Sequence, residues 1–411
     1  MRLTPTLRLP PAFRRLAFSN LTAQLSEQLA LAAAPLVAVL LLQASPAQTG
    51  YLQTAQTLPF LLFSMLAGVL ADRISRRRLM VAAETVRALS LIGILILLCG
   101  DLLDLRLLAA VGFLGAIGTV AYSVAAPALI PALVPREGFV AANRWLELAR
   151  SLAYAAGPAL GGLVVGAMGA SVAFMVATAL SLVAVLLLAG LPEPIMTSPV
   201  RRAVLHEIKD GATFVLRHPL LRPVLITAMF FNTAWFVLQA VYVAYAVTSL
   251  GLNAAEVGAT LGTYGAGMVV GALLAGRLAR HLSFGSMIAV GPAAGLLGSL
   301  LMLTTLACPS GLLAGLSFFL FGVGPILWTI TTTTLRQAVT PAGLLGRVSG
   351  FVMTATFGSR PLGAGIGALM AAQFGVGACL LMSVVGFAIQ FLVLFASPVR
   401  HLVRQPDPTL A

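Results

Sequence analysis

Two ionisable residues stand deep inside long apolar runs, where a charge is costly and marks a working site. Glu27 is twelve residues past Arg15, roughly 18 Å along a helix and close to the middle of a bilayer. A carboxylate there suits proton carriage or substrate contact. The alternative is a structural acid, bonded to a neighbouring helix or paired with Arg150. Arg360 is thirteen residues past Arg347, about 20 Å by the same rise. A guanidinium stays charged and must find an acceptor. Arg360 therefore either meets an anionic group of a ligand or serves as a fixed counter-charge to a carboxylate or to carbonyls.

Polar side chains accompany these charges at helical spacing. Asn232, Trp235, Gln239 and Tyr242 follow i, i+3, i+7, i+10 along one face, and Asn20, Gln24 and Glu27 or Gln28 repeat the spacing in the first run. Such stripes either join helices by hydrogen bonds or line a cavity for a partly polar organic molecule. A second set of charges gathers near run ends. Arg144, Glu147 and Arg150 lie one turn apart, and Glu84 and Arg87 open the third run. Both sets read as ion-pair networks that close one side. Small residues form a third pattern: Gly157-Pro158-Ala-Leu-Gly161-Gly162, answered by Gly258, Gly262, Gly265, Gly267 and Gly271. They let backbones approach closely, and Pro158 can bend its helix.

The elements that position these residues are membrane spans. Of the 411 residues 59% are hydrophobic and 9% charged, with a mean hydropathy of +1.01. A soluble domain carries about a quarter of its residues as charges, so the chain reads as an all-α polytopic membrane protein. Apolar runs of about twenty residues exclude the short alternating strands of a barrel. Twelve spans are expected at 15–42, 48–71, 79–99, 105–133, 138–166, 170–191, 220–248, 255–279, 284–306, 311–334, 344–370 and 374–396. With both termini cytoplasmic, the even-numbered connections should hold the positive charge. They contain Arg73 to Arg78, Arg136, Arg201 to Arg222, Arg277 and Arg280, then Arg336 and Arg347; the odd ones contain Arg106 alone. That pattern accounts for the net charge of +13, and no nucleic-acid partner is expected.

The longest connection, 192–219, reads as a cytoplasmic linker between 1–191 and 220–411, each with six spans, the second ending in a short cytoplasmic tail. Internal echoes support duplication. Asn20 to Glu27 parallels Asn232 to Gln239, and Arg144 precedes Gly157-Pro158 by thirteen residues, as Arg347 precedes Arg360-Pro361.

The turn Gly68-Val-Leu-Ala-Asp72-Arg73-Ile-Ser-Arg76-Arg77-Arg78 cannot sit in hydrocarbon, and it resembles the loop between helices 2 and 3 of the major facilitator superfamily. Ser75 stands where that family has Gly, a strain if the turn needs φ > 0. The Gly157-Pro158 stretch resembles the antiporter signature of drug exporters. Pro127 to Gly138, Ala142-Asn143, Leu335 to Pro341 and Gly346-Arg347 resemble the branch of enterobactin-type siderophore exporters and macrolide efflux proteins.

The resemblance implies two pseudo-symmetric six-helix bundles with helices 1, 4, 7 and 10 around a central cavity. Tyr122 and Trp328 would then complete its wall. Asp72 and the adjacent arginines would latch the halves, and the glycines of the fifth and eighth spans would let them rock.

The expected protein is a monomeric secondary transporter of the bacterial inner membrane. It would export a drug-like or siderophore-like molecule in exchange for protons, with Glu27 as coupling residue and the proton gradient in place of a cofactor. Uptake or lipid flipping on the same fold is the alternative. No G-x-x-x-x-G-K-(S/T) loop occurs and Lys209 is the sole lysine, which argues against ATP-driven pumping. Cys99, Cys308 and Cys379 lack metal spacing, and clustered groups for membrane enzymology are missing.

Overall fold

The computed structural model describes residues 10–135, 139–192, 204–341 and 343–406. Long helices follow one another: α1 (Pro11–Leu40), α2 (Pro46–Arg73), α3 (Arg76–Cys99), α4 (Leu105–Leu133), α5 (Phe139–Met168), α6 (Ala170–Ala189), α7 (Val204–Arg217), α8 (Leu221–Thr248), α9 (Ala254–His281), α10 (Phe284–Thr304), α11 (Gly311–Val339) and α12 (Leu345–Phe395). Among the described residues ten helices are long and apolar enough to cross a membrane. α12 runs for 51 residues and is broken at Gly375, where φ is 78°. That conformation suits glycine, and the break makes α12 two spans. Counting both its limbs, the ten become eleven, and α2, 28 residues long, stands where the remaining one of the twelve expected spans falls.

Helix ends differ from the expected ones mainly where charge begins. Arg14, Arg15 and Arg76 to Arg78 are helical, because a helix continues past the hydrocarbon once its backbone bonds are satisfied. Side chains close the starts. Ser45 and Gln48 form a capping box, and so do Asn253 and Glu256. Ser75 caps α3 with φ −54°, its hydroxyl accepting from the Arg78 amide. The turn needs no left-handed residue, so serine is suited to it. Arg15 and Arg77 donate to the carbonyls of Gly190 and Ala189 at the end of α6, where the helix dipole favours a cation.

The connection expected at 192–219 contains a helix, α7. It is amphipathic and rests on the start of α12. Val215 is buried, Arg347 pairs with Asp210 at 2.8 Å, and a Cβ on Gly211 would sit 2.5 Å from the Arg347 carbonyl. His218 ends α7, its Nδ1 accepting from the amides of Leu220 (3.2 Å) and Leu221 (3.4 Å). Burial holds this imidazole below the ordinary histidine value. The neutral cap therefore stabilises the turn fully above about pH 6.5 and is lost as the pH falls through the lowered folded-state value. Hydrogen exchange at Leu220 and Leu221, corrected for intrinsic rate, should be faster at low pH; equal protection would contradict the cap.

The end of the molecule that carries the N-terminus, α7 and the tail is the terminus side. The two halves meet through α2 with α12 and α5 with α9, pairs that exchange under the pseudo-twofold. Their described contacts gather on the far side. Thr49 donates to the Ala240 carbonyl at 2.9 Å, and a Cβ on Gly50 would lie 2.7 Å from Ala368. A Cβ on Gly162 would lie 2.3 Å from the Ala254 carbonyl and one on Gly258 2.7 Å from Gly162. Toward the terminus side, a Cβ on Gly276, Gly346 or Gly350 would meet nothing within 4 Å.

The glycine-rich stretch of α5 divides its work. Gly157 and Gly161 pack on α1, against Gln28 and Leu29, whereas Gly162 faces α9 across the halves. Gly258, Gly262 and Gly265 answer α5, while Gly267 and Gly271 turn to α11. Gly162→Ala should destabilise the closed far side by ~1–3 kcal/mol. One turn on, a Cβ on Gly166 has 3.5 Å to Ala254, so Gly166→Ala should be neutral or gain up to about 1 kcal/mol of helix propensity. Thermal melting separates the two; equal effects would contradict this contact.

Candidate functional site: a central cavity between the halves

Bends open the space the site occupies. Pro35, Pro158, Pro292 and Pro325 lie inside α1, α5, α10 and α11 and all face one cavity of about 520 Å³. Proline removes a backbone bond and kinks a helix. Around the cavity stand Glu27 and Gln28 on α1, Arg87 on α3, Arg150 and Tyr154 on α5, and Asn232, Trp235 and Gln239 on α8. Tyr264 of α9, Trp328 of α11 and Arg360 of α12 complete the polar and aromatic wall.

Glu27 is the carboxylate on this wall, 17% exposed, with Arg87 Nη1 at 3.5 Å. Arg87 is bound more closely elsewhere: Nη2 donates to Glu84 at 2.6 Å and to the Ala23 carbonyl at 2.7 Å. Ser181 donates to the same Glu84 oxygen at 2.6 Å. The Glu84 side chain has no exposure and Arg87 only 6%. Glu84 and Arg87 thus form a buried pair behind Glu27, a correction to their expected place in a closing network near the third helix's start. The pair is short but not saturated, since the second Glu84 oxygen and Arg87 Nε are buried without a described partner, and Glu27 is attached to it by the longer contact alone.

Arg150 does not pair with Glu27 in this arrangement. It is bound by Glu147 one turn back on α5, with Nε at 3.1 Å, and its guanidinium lies 5.8 Å from the Tyr154 ring. Tyr154 in turn meets Tyr264 of α9 at 6.0 Å. The Glu147–Arg150 pair is internal to its own helix, so it does not tie the halves as a closing network would. Arg77 reaches α6 of its own half, and Arg76 begins α3. The side chains of Gly68, Asp72, Arg73 and Arg144, expected in the latch and the charged stripe, lie outside the described residues.

Arg360 lies on the cavity wall with its guanidinium carbon 4.0 Å from the Phe357 ring centre, 5.1 Å from Phe60 and 5.5 Å from Phe236. Its Nε points to Asn232 Oδ1 at 3.4 Å.

Four expected wall residues stand elsewhere. Tyr242 is fully buried on the far side, its hydroxyl bonded to Thr260 and its ring 4.5 Å from Phe318. It is ten residues past Asn232, about 15 Å along α8 and roughly 80° around it, which carries it off the cavity wall and against α9 and α11 of its own half. Tyr122 is 3% exposed and packs with α1 and α3 residues in the core of the first half. Asn20 is buried and Gln24 partly exposed, both nearer the terminus side than Glu27 and off the cavity wall. Residues missed from sequence include Tyr154, Tyr264, Gln53, Gln56 and the phenylalanines around Arg360. The phenylalanines sit in apolar runs that look alike whether they face lipid or cavity. Tyr154 and Tyr264, polar aromatics within the glycine-rich fifth and eighth spans, did carry a signal.

The chain matches the model of the Major Facilitator Superfamily over residues 16–364. The enterobactin exporter EntS of Citrobacter koseri is 27% identical over 417 residues, covering 98% of this chain and 95% of the exporter. The multidrug efflux pump Tap of Mycolicibacterium fortuitum is 28% identical over 364 residues, covering 84% of this chain and 86% of the pump. A crystal structure of a bacterial homologue of the iron transporter ferroportin, in its inward-facing state, superposes with a TM-score of 0.74 at 14% identity, over 95% of this chain and 99% of that one. A POT family transporter in complex with 5-aminolevulinic acid superposes at 0.80 with 12% identity, over 96% and 97%. At these identities the structures speak for the fold alone. A helical transporter fold around one central cavity and a family match over most of the length agree: this chain is a transporter rather than an enzyme, and it belongs to the Major Facilitator Superfamily.

Proposed function

We propose that the protein exports a small organic molecule, drug-like or siderophore-like, across the bacterial inner membrane by alternating access in exchange for protons. The observation that carries this reading is Glu27, a partly exposed carboxylate on the cavity wall held by one 3.5 Å contact to an arginine already bound to Glu84. A carboxylate so loosely paired can accept a proton or a substrate group without dismantling the buried pair behind it. The export direction follows the relatives, whose names are those of an exporter and an efflux pump.

In this reading residues 1–191 and 220–411 are the bodies that rock, with 192–219 as the linker between them. The basic connections put both termini in the cytoplasm. The described contacts on the far side support reading this as an inward-facing arrangement. The proton gradient is the energy source, no cofactor takes part, and one copy suffices.

Compounds for the test come from comparing a deletion strain with an overexpressor for susceptibility and secretion. Added to everted membrane vesicles with an acid interior, a transported compound should draw protons out and relax the pH gradient. Unchanged gradients for every compound whose export depends on the protein would overturn the exchange.

A further inference from the structure

Arg360 is a cation with no ionic partner. Among the described residues no carboxylate lies within ion-pair distance of it. Among the described residues its single hydrogen bond is the 3.4 Å contact from Nε to Asn232, and neither Nη group donates to any of them. A guanidinium in a low-dielectric setting needs acceptors, and one long bond to an amide supplies little. Three phenyl rings stand within cation–π distance of its guanidinium carbon, Phe60 from the first half and Phe236 and Phe357 from the second. Among the described residues nothing accepts from its Nη groups, so their N–H edge, on a residue that lines the cavity, has bonding capacity to spare. That edge matches a carboxylate or similar oxyanion, two N–H to two oxygens.

The opposite wall carries Glu27. The charged and titratable groups around it are Arg87, Glu84 and Tyr122 on its own side and Arg360 across the cavity. An anion on Arg360 alone would cancel part of the positive field at Glu27 and favour its protonation. Substrate and proton would then bind together and travel the same way. Exchange requires the reverse: the substrate must compete with the proton, which a donor or cationic group on Glu27 does. The same cavity is lined by aromatic surfaces, with Trp235 and Tyr264 5.2 Å apart.

We propose that the transported molecule is dipolar and aromatic: its anionic group docks on the N–H edge of Arg360, its ring lies among the cavity aromatics, and its donor or cationic end takes Glu27 in competition with the proton. The Glu27 half rests on the exchange reading above; the Arg360 half stands on its own geometry.

Three dyes with one tricyclic body test it by fluorescence anisotropy on the purified protein in nanodiscs. Rhodamine 110 carries a carboxylate and a cationic xanthene, rhodamine 123 is its methyl ester and keeps only the cation, and fluorescein keeps the carboxylate without the cation. Rhodamine 110 should bind about tenfold or more tightly than either, the worth of one charge-assisted bond, and should weaken as the pH falls. Arg360→Gln should bring rhodamine 110 down to rhodamine 123 and leave rhodamine 123 unchanged, while Arg360→Lys should keep part of the difference. Equal affinity for all three dyes, no saturable binding of rhodamine 110, or equal weakening of all three by Arg360→Gln would overturn the proposal. Dye selectivity that persists where vesicles show no gradient-driven exchange would instead overturn the exchange reading and keep the anion site.

Discussion

Glu27→Gln is expected to reduce transport driven by a pH gradient to background while substrate counterflow at equal pH continues. Glutamine keeps the size and the acceptor oxygen but cannot gain or lose a proton. The contact it replaces is a single 3.5 Å approach to Arg87, so the stability cost should be about 1 kcal/mol or less. Arg87 keeps Glu84 and the Ala23 carbonyl. The split between the two assays is the informative result. Loss of both would mark Glu27 as a structural or purely substrate-binding residue, and retention of both would remove it from the coupling.

Arg87→Met is expected to have the largest effect on stability. Among the described residues the guanidinium is the one cation paired with Glu84, and the Glu84 side chain has no exposure. Removing it leaves a buried carboxylate with Ser181 as donor, and breaking such a pair from one side costs ~3–5 kcal/mol. The double variant Glu84→Gln/Arg87→Met removes both charges and should recover much of the loss, because the penalty belongs to the stranded charge. Melting in detergent checks this. A single variant as stable as the wild type, or a double variant no better than the single, would contradict the buried pair.

The spans were legible because hydrocarbon thickness dictates about twenty apolar residues whatever else the sequence does, and the break at Gly375 falls just past the start expected for the last span. Glu27, Trp235, Gln239 and Arg360 were legible as cavity residues because polar atoms in apolar runs have few other reasons to be there. Partnerships were not. Arg87 lies sixty residues from Glu27 in sequence, and only the packing of α1 and α3 on α6 brings Glu84, Arg87 and Glu27 together. The stripe rule failed at Tyr242 because a straight helix drifts off a face over ten residues, which turns this side chain onto α9 and α11. α7 was hidden for a different reason: a short amphipathic helix flanked by Arg and Pro has the composition of a polar connection.

The central claim is that protonation of Glu27 governs which side of the molecule is open, and it can be tested without knowing the substrate. Cys99 and Cys308 are exposed at the far side, one in each half, and Cys379 is buried, so spin labels on the natural cysteines report one distance across the far-side opening. An exchanger returns to the terminus-open form carrying its proton. Lowering the pH should therefore shift the distribution toward the short, far-side-closed distance, and Glu27→Gln should hold that distance at every pH. A distribution that ignores pH, or a pH response that survives Glu27→Gln, would contradict the account.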